Sequence, residues 1–134
     1  KIIYVDYELH FAIIELIGEW NDAIENDIME LKREVLEKFM YEGISKFILI
    51  AENVLNFHSS DDSYYEEWYQ DIEEEGGWIL FLNMPIATKA EFMQISIHRY
   101  AFFMEIEQWR TLQPLILMNF IEQKLLRIQQ NTEE

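Results

Sequence analysis

The chain has 134 residues, half of them hydrophobic and 15% aromatic, with 26 acidic and 10 basic side chains, a net charge of −16 and no cysteine. That length and apolar content fit one sizeable core and exclude disorder over most of the chain. The charge excludes the basic footprint of a nucleic-acid binder and disfavours anionic membranes, and the lack of cysteine excludes disulfide frameworks, thiolate catalysis and Cys-based zinc sites. A partner with a basic face is the electrostatically natural one. The opening KIIYVDYELH lacks the long apolar segment of a signal peptide, and its start at Lys1 instead of Met fits a trimmed N-terminus. No apolar run approaches the ~20 residues of a membrane span. These features predict a soluble, cytoplasmic, single domain over residues 1–134.

Ile2 to Val5 read as a short strand and Phe11 to Ile17 as a second, joined as a hairpin through Asp6, Tyr7, Glu8 and His10, with Gly18 at its end. Asn21 or Asp22 then caps a helix, Asp22 to Glu25 having capping-box spacing. Ile24, Ile28, Leu31, Val35 and Phe39 form its apolar stripe, opposite Glu30, Glu34, Glu37 and Lys38. Gly43 suits its left-handed C-terminal cap.

Phe47 to Ala51, running on toward Leu55, is an apolar run between helices, the pattern of a strand buried on both faces. Ser59, Ser60 or Asp61 caps the next helix, whose apolar side is Tyr65, Trp68, Tyr69 and Ile72. Glu73, Glu74 and Glu75 at its C-terminal end oppose the helix dipole, and Gly76-Gly77 terminates it. Trp78 to Leu82 is another buried strand, followed by a turn at Asn83-Met84-Pro85. Thr88 to Glu91 forms a second capping box, opening a short helix with Phe92 and Met93. Ile97 to Ile106 reads as a strand centred on Tyr100 to Met104 or as more helix; Arg99 interrupts the apolar face a helix needs and favours the strand. A last helix lies within Glu107 to Gln130, with Leu117, Ile121, Leu125 and Ile128 on one face, Pro114 as its first residue or a kink, and a fraying end from Asn131 to Glu134. The order ββαβαβαβα predicts an α/β fold, a mostly parallel or mixed sheet with helices packed on it.

No catalytic constellation stands out. Phe47 to Thr88 contains no Lys or Arg but holds Asp61, Asp62, Glu66, Glu67, Asp71 and Glu73 to Glu75. No EF-hand spacing occurs, and adjacent Asp61 and Asp62 diverge on a helix, so a solvated acidic face outweighs a metal site. His10, His58 and His98 lack metal-binding spacing, and His58 beside Ser59 reads as a polar turn with no third catalytic partner. Neither a phosphate-binding loop nor a dinucleotide fingerprint can be built from four glycines so placed. Trp20, Tyr64, Tyr65, Trp68, Tyr69 and Trp78 supply core, a pocket for an apolar ligand, or a partner-binding patch.

Three stretches carry a family resemblance over Ile13 to Met84: Ile14-Glu15-Leu16-Ile17-Gly18-Glu19-Trp20-Asn21, then Asn53-Val54-Leu55-Asn56-Phe57-His58-Ser59-Ser60-Asp61, then Gly76-Gly77-Trp78-Ile79-Leu80-Phe81-Leu82. Their order and spacing resemble the STAS domain of sulphate transporters and anti-sigma factor antagonists. The resemblance implies a small cytosolic regulatory module with no cofactor and no catalytic activity of its own. It would bind an anti-sigma factor that is also a serine kinase, and a homodimer is open to it as well. Ser59 and Ser60 take the place of the phosphoacceptor at the helix start, and His58, Asp61, Asp62, Tyr64, Tyr65 and Trp68 take the partner-binding positions. His58 stands where the family has Asp, Asp61 where it has Gly, and Asn21 where it has Asp. Asp61 and Asp62 place permanent negative charge where the phosphate would go. The competing reading is a carrier of a small apolar ligand among the aromatics, and the third is an enzyme using paired carboxylates.

Overall fold

The computed structural model describes residues 1–21, 27–58 and 62–133. Its elements are β1 (Ile2–Asp6), β2 (Phe11–Asn21), α1 (Asp27–Leu31), a π turn (Lys32–Leu36), α2 (Glu37–Tyr41), β3 (Lys46–His58), α3 (Ser63–Glu73), β4 (Trp78–Leu82), α4 (Ile86–Gln94), β5 (Phe102–Met104) and α5 (Pro114–Glu133), with short 3-10 turns at Ile97–Arg99 and Trp109–Thr111.

The five strands lie in the order β1-β2-β3-β4-β5, so β3 is central as its two-sided apolar run predicts. β1 is antiparallel to β2, and each later neighbour is parallel. Each crossover adds its strand on the same side, and right-handed connections then place α1 to α4 on one face. Alternation along the strands divides the core in two. Ala12, Ile14, Phe47, Leu49, Ile79 and Phe81 pack under Ile28, Leu36, Tyr65, Trp68 and Phe92. Phe11, Ile13, Ile48, Ile50, Leu80 and Leu82 pack under Leu117, Met118, Ile121 and Leu125 of α5.

Several boundaries differ from the sequence reading. β2 does not stop at Gly18 but continues to Asn21, with Gly18 at φ +99° beside a bulge. β3 passes Leu55 and reaches His58. The first helix contains the π turn, which shifts the phase of its stripe. Lys32 and Leu36 are turned inward as a result, and Val35 is only half-buried. The capping box at Asp22 to Glu25 lies outside the described residues. α3 begins at Ser63 with Asp62 at its N-cap position, and Asp62 makes no side-chain cap bond. α4 begins two residues before Thr88, whose hydroxyl instead donates to the Val54 carbonyl at 3.3 Å. β5 confirms the strand within Ile97 to Ile106 but spans three residues only. Pro114 is the first residue of α5, where its missing N–H costs nothing, and α5 holds to Glu133. Gly43, at φ +97°, closes the first helical stretch, the amide of Ile44 bonding back to Phe39 at 2.9 Å.

Candidate protein-interaction site

The parallel register of β2 and β3 joins two of the three motif stretches. Ile17 is beside Asn53, Gly18 beside Val54, and Asn21 beside His58. Both strands therefore end together, at Asn21 and His58. Ser59, Ser60 and Asp61 lie outside the described residues.

Within α3 the aromatics divide by depth. Tyr65 and Trp68 are buried, which corrects their assignment as partner-contacting surface. Tyr65 accepts a 3.0 Å hydrogen bond from the Trp20 indole N–H and packs edge-on against Phe92. Trp68 packs edge-on against Phe47 of β3, with ring centres 5.3 Å apart. Both sit at helical spacing facing the sheet, so they anchor α3 instead of presenting it. Tyr64 is half-buried, and its hydroxyl donates to Met29 Sδ at 3.3 Å. Asp62 is half-buried at the helix start, and its carbonyl accepts from the Glu66 amide at 3.0 Å.

The outer side of α3 is acidic and partly neutralised from beneath. Lys32 Nζ lies 2.8 Å from Glu67 and 3.2 Å from Asp71, although its side chain is only 4% exposed. A signal for this was present, because Lys32 falls midway between Ile28 and Leu36 at helical spacing. Tyr100 reaches the same region: desolvation first, then Glu66 and Asp62, push its phenol above the ordinary value of 10.0.

A second polar cluster joins the middle of β2 and β3 on the α5 side. Arg110 donates to Glu15 at 2.8 Å and to Glu52 at 2.9 Å, while stacking on Trp109. The Trp109 indole also donates to Glu52, at 3.2 Å. Asn83, at φ +58°, exchanges two hydrogen bonds with the backbone of Ile106 and so holds the incoming loop. Burial raises the pKa of Glu52, but the hydrogen bonds from Trp109, Arg110 and Asn83 outweigh it and leave the carboxyl below 4.5. A paired-carboxylate acid catalyst needs the opposite shift. Sequence reasoning missed this cluster.

At the other end of the strands, a cleft of about 490 Å³ is lined by Lys46, Tyr69, Trp78, Arg99, Tyr100 and Phe102. Tyr64, Tyr65 and Trp68 are not among its walls. His10 Nδ1 is 3.1 Å from the Gly43 carbonyl, a structural contact in a turn. Among the described residues, no group of three or more His, Cys, Asp or Glu side chains could hold a metal ion, and no helix is long and apolar enough to cross a membrane.

No protein-family model matches the sequence, and no curated protein matches it. Solved structures do match in fold. The anti-sigma factor antagonist SpoIIAA in its unphosphorylated form is 14% identical with a TM-score of 0.64, over 81% of this chain and 88% of that one. The Bacillus cell fate determinant SpoIIAA in the phosphorylated form is 14% identical with a TM-score of 0.57, over 81% and 91%. A candidate anti-sigma factor antagonist from Thermotoga maritima is 19% identical with a TM-score of 0.63, over 80% and 86%. The chain has the STAS-like α/β fold of these anti-sigma factor antagonist structures.

Proposed function

We propose that the chain is a regulatory protein-binding module of the anti-sigma factor antagonist kind, cytoplasmic and without catalysis or cofactor of its own. It acts by presenting α3 and the turn before it to a partner with a basic face, an anti-sigma factor with serine kinase activity being the partner class the likeness suggests. The observation that carries this reading is the fold shared with SpoIIAA over 81% of the chain. The acidic outer side of α3, with exposed Glu67 and Asp71, supports the sign of the partner's charge.

His58, Asp61, Asp62 and Tyr64 form the contact set, and Tyr65 and Trp68 position it from the core. Ser59 and Ser60 are the candidate phosphoacceptors. A phosphate there would carry close to two negative charges next to Asp61 and Asp62, within a Debye length of ~8 Å. That opposition makes the serines poor acceptors and the two aspartates fixed charge, so binding is constitutive. Capture of partners on the immobilised chain from its native source, with phosphopeptide mapping of the native protein, tests both halves. A captured protein with a basic face and unmodified serines is expected. Stoichiometric phosphate on Ser59 or Ser60 would restore a serine switch, and a lack of any protein partner would remove the module reading.

The carrier reading keeps one supporting observation. Tyr69 and Trp78 line the 490 Å³ cleft, a volume suited to a small ligand. Mass spectrometry of the captured material for co-purifying small molecules tests it.

A further inference from the structure

The cleft of about 490 Å³ lies where β3, β4 and β5 begin, at the opposite end of the sheet from Asn21 and His58. It takes walls from both layers of the core. Trp78 and Phe102 belong to the α5 side, and Tyr69 and Tyr100 to the other. The Tyr69 and Tyr100 rings pack together with centres 6.0 Å apart. Walls of this kind suit the flat face of an aromatic ligand. One wall is carried by the short turn Ile97–Arg99. Ser96, just before it, holds φ +66°, a costly conformation for a residue with a side chain, and Ile97 is fully buried. The turn is thereby fixed with Arg99 on the cleft.

Besides His98, four charged side chains line this cleft. Lys46 Nζ is 2.6 Å from Glu122, so those two answer each other. Arg99 and Glu73 are exposed, and among the described residues neither forms an ion pair, with one another included. The cleft therefore offers one open guanidinium and one open carboxylate beside aromatic walls.

We propose that this cleft binds a free aromatic α-amino acid. Its carboxylate meets the Arg99 guanidinium, its ammonium meets Glu73, and its ring enters among Tyr69, Trp78 and Phe102. A zwitterion answers both open charges at once, through charge-assisted hydrogen bonds at each end. An aromatic acid would leave Glu73 unanswered, and an aromatic amine would leave Arg99 unanswered. Charge on the whole molecule points the same way. A net charge of −16 repels an aromatic acid but leaves a neutral zwitterion untouched. The proposal rests on the carrier reading of this cleft and narrows it to one ligand class. It does not draw on the surface of α3.

The test uses three ligands that share one ring: L-tryptophan, indole-3-propionate, which lacks the ammonium, and tryptamine, which lacks the carboxylate. Each is titrated into the isotope-labelled chain while amide shifts are followed by NMR. L-Tryptophan should shift the amides of Gly76, Gly77 and Ala101, which line the cleft. It should bind with a Kd on the order of 0.1 mM, about tenfold more tightly than either analogue. Arg99→Gln should remove its advantage over tryptamine, and Glu73→Gln its advantage over indole-3-propionate. Both side chains are exposed, so each variant should keep the wild-type unfolding midpoint. Shifts centred away from the cleft, or an advantage that survives both substitutions, would overturn the proposal. Equal affinity for all three ligands would overturn it too, while leaving an unselective carrier of apolar rings. No binding by any of them up to about 10 mM would remove the carrier reading with it.

Discussion

Lys32 and Glu67 are 2.8 Å apart, yet the lysine side chain is 4% exposed and the glutamate 58%. This asymmetry decides which partner is costly to remove. Without Lys32, the carboxylates of Glu67 and Asp71 return to water. Without the carboxylates, the buried ammonium keeps, among the described residues, Glu37 at 3.9 Å as its remaining ion-pair partner. Lys32→Met should therefore leave stability within about 1 kcal/mol of wild type, and Glu67→Ala with Asp71→Ala should cost about 3 kcal/mol. Urea unfolding of the two variants checks this, and the reverse order would show that the pair does not bind α3 down as described.

The π turn makes a separate prediction about neighbours. Leu36 is fully buried and Val35 only half-buried. Leu36→Asp strands a carboxylate in the core and should cost about 3 kcal/mol or more, while Val35→Asp should cost at least about 1 kcal/mol less. Equal losses in unfolding free energy would place Val35 back on the main stripe.

That stripe shows what was legible in the sequence and what was not. β3 and β4 could be read because strands buried on both faces are written as continuous apolar runs, and both hold their expected cores. The phase of the first helix was harder to read, because one π turn rotates everything after it, and the spacing of Ile28, Lys32 and Leu36 was its trace in the sequence. The Glu15–Arg110 contact spans 95 positions, and only folding brings such groups together. An acid at Glu15, at an inward position of the apolar run Phe11 to Ile17, was the one local hint of it. For the turn at Ser59 to Asp61, motif spacing alone carries the assignment.

Two glycines should differ sharply. A Cβ on Gly77 would fall on the Ser45 carbonyl oxygen and 2.8 Å from that of Ile72, where the backbone passes between β3 and α3. Gly18 has open space around it and only its φ of +99° to satisfy. Gly77→Ala should cost about 4 kcal/mol and Gly18→Ala about 1 to 2. Thermal unfolding of both variants measures the gap, and a milder effect at Gly77 would contradict that close approach.

Glu52 sets an acid limit. Its carboxyl is held below 4.5 in the folded chain, so its contribution is complete above that value and disappears as pH falls through the folded pKa. Between pH 5 and pH 3, roughly the window in which carboxylates titrate, wild type should lose more stability than Glu52→Gln does. Parallel pH curves for the two proteins would mean that the Arg110 and Trp109 contacts do not favour the ionised form.

We propose that Asp61 and Asp62 supply the fixed negative charge that a basic partner reads. This is tested most directly by a binding titration of the captured partner against two double variants. Asp61→Gly with Asp62→Ala should weaken binding about tenfold or more, and Ser59→Ala with Ser60→Ala should leave it within about twofold of wild type. Binding that follows the serines and ignores the aspartates would contradict the account.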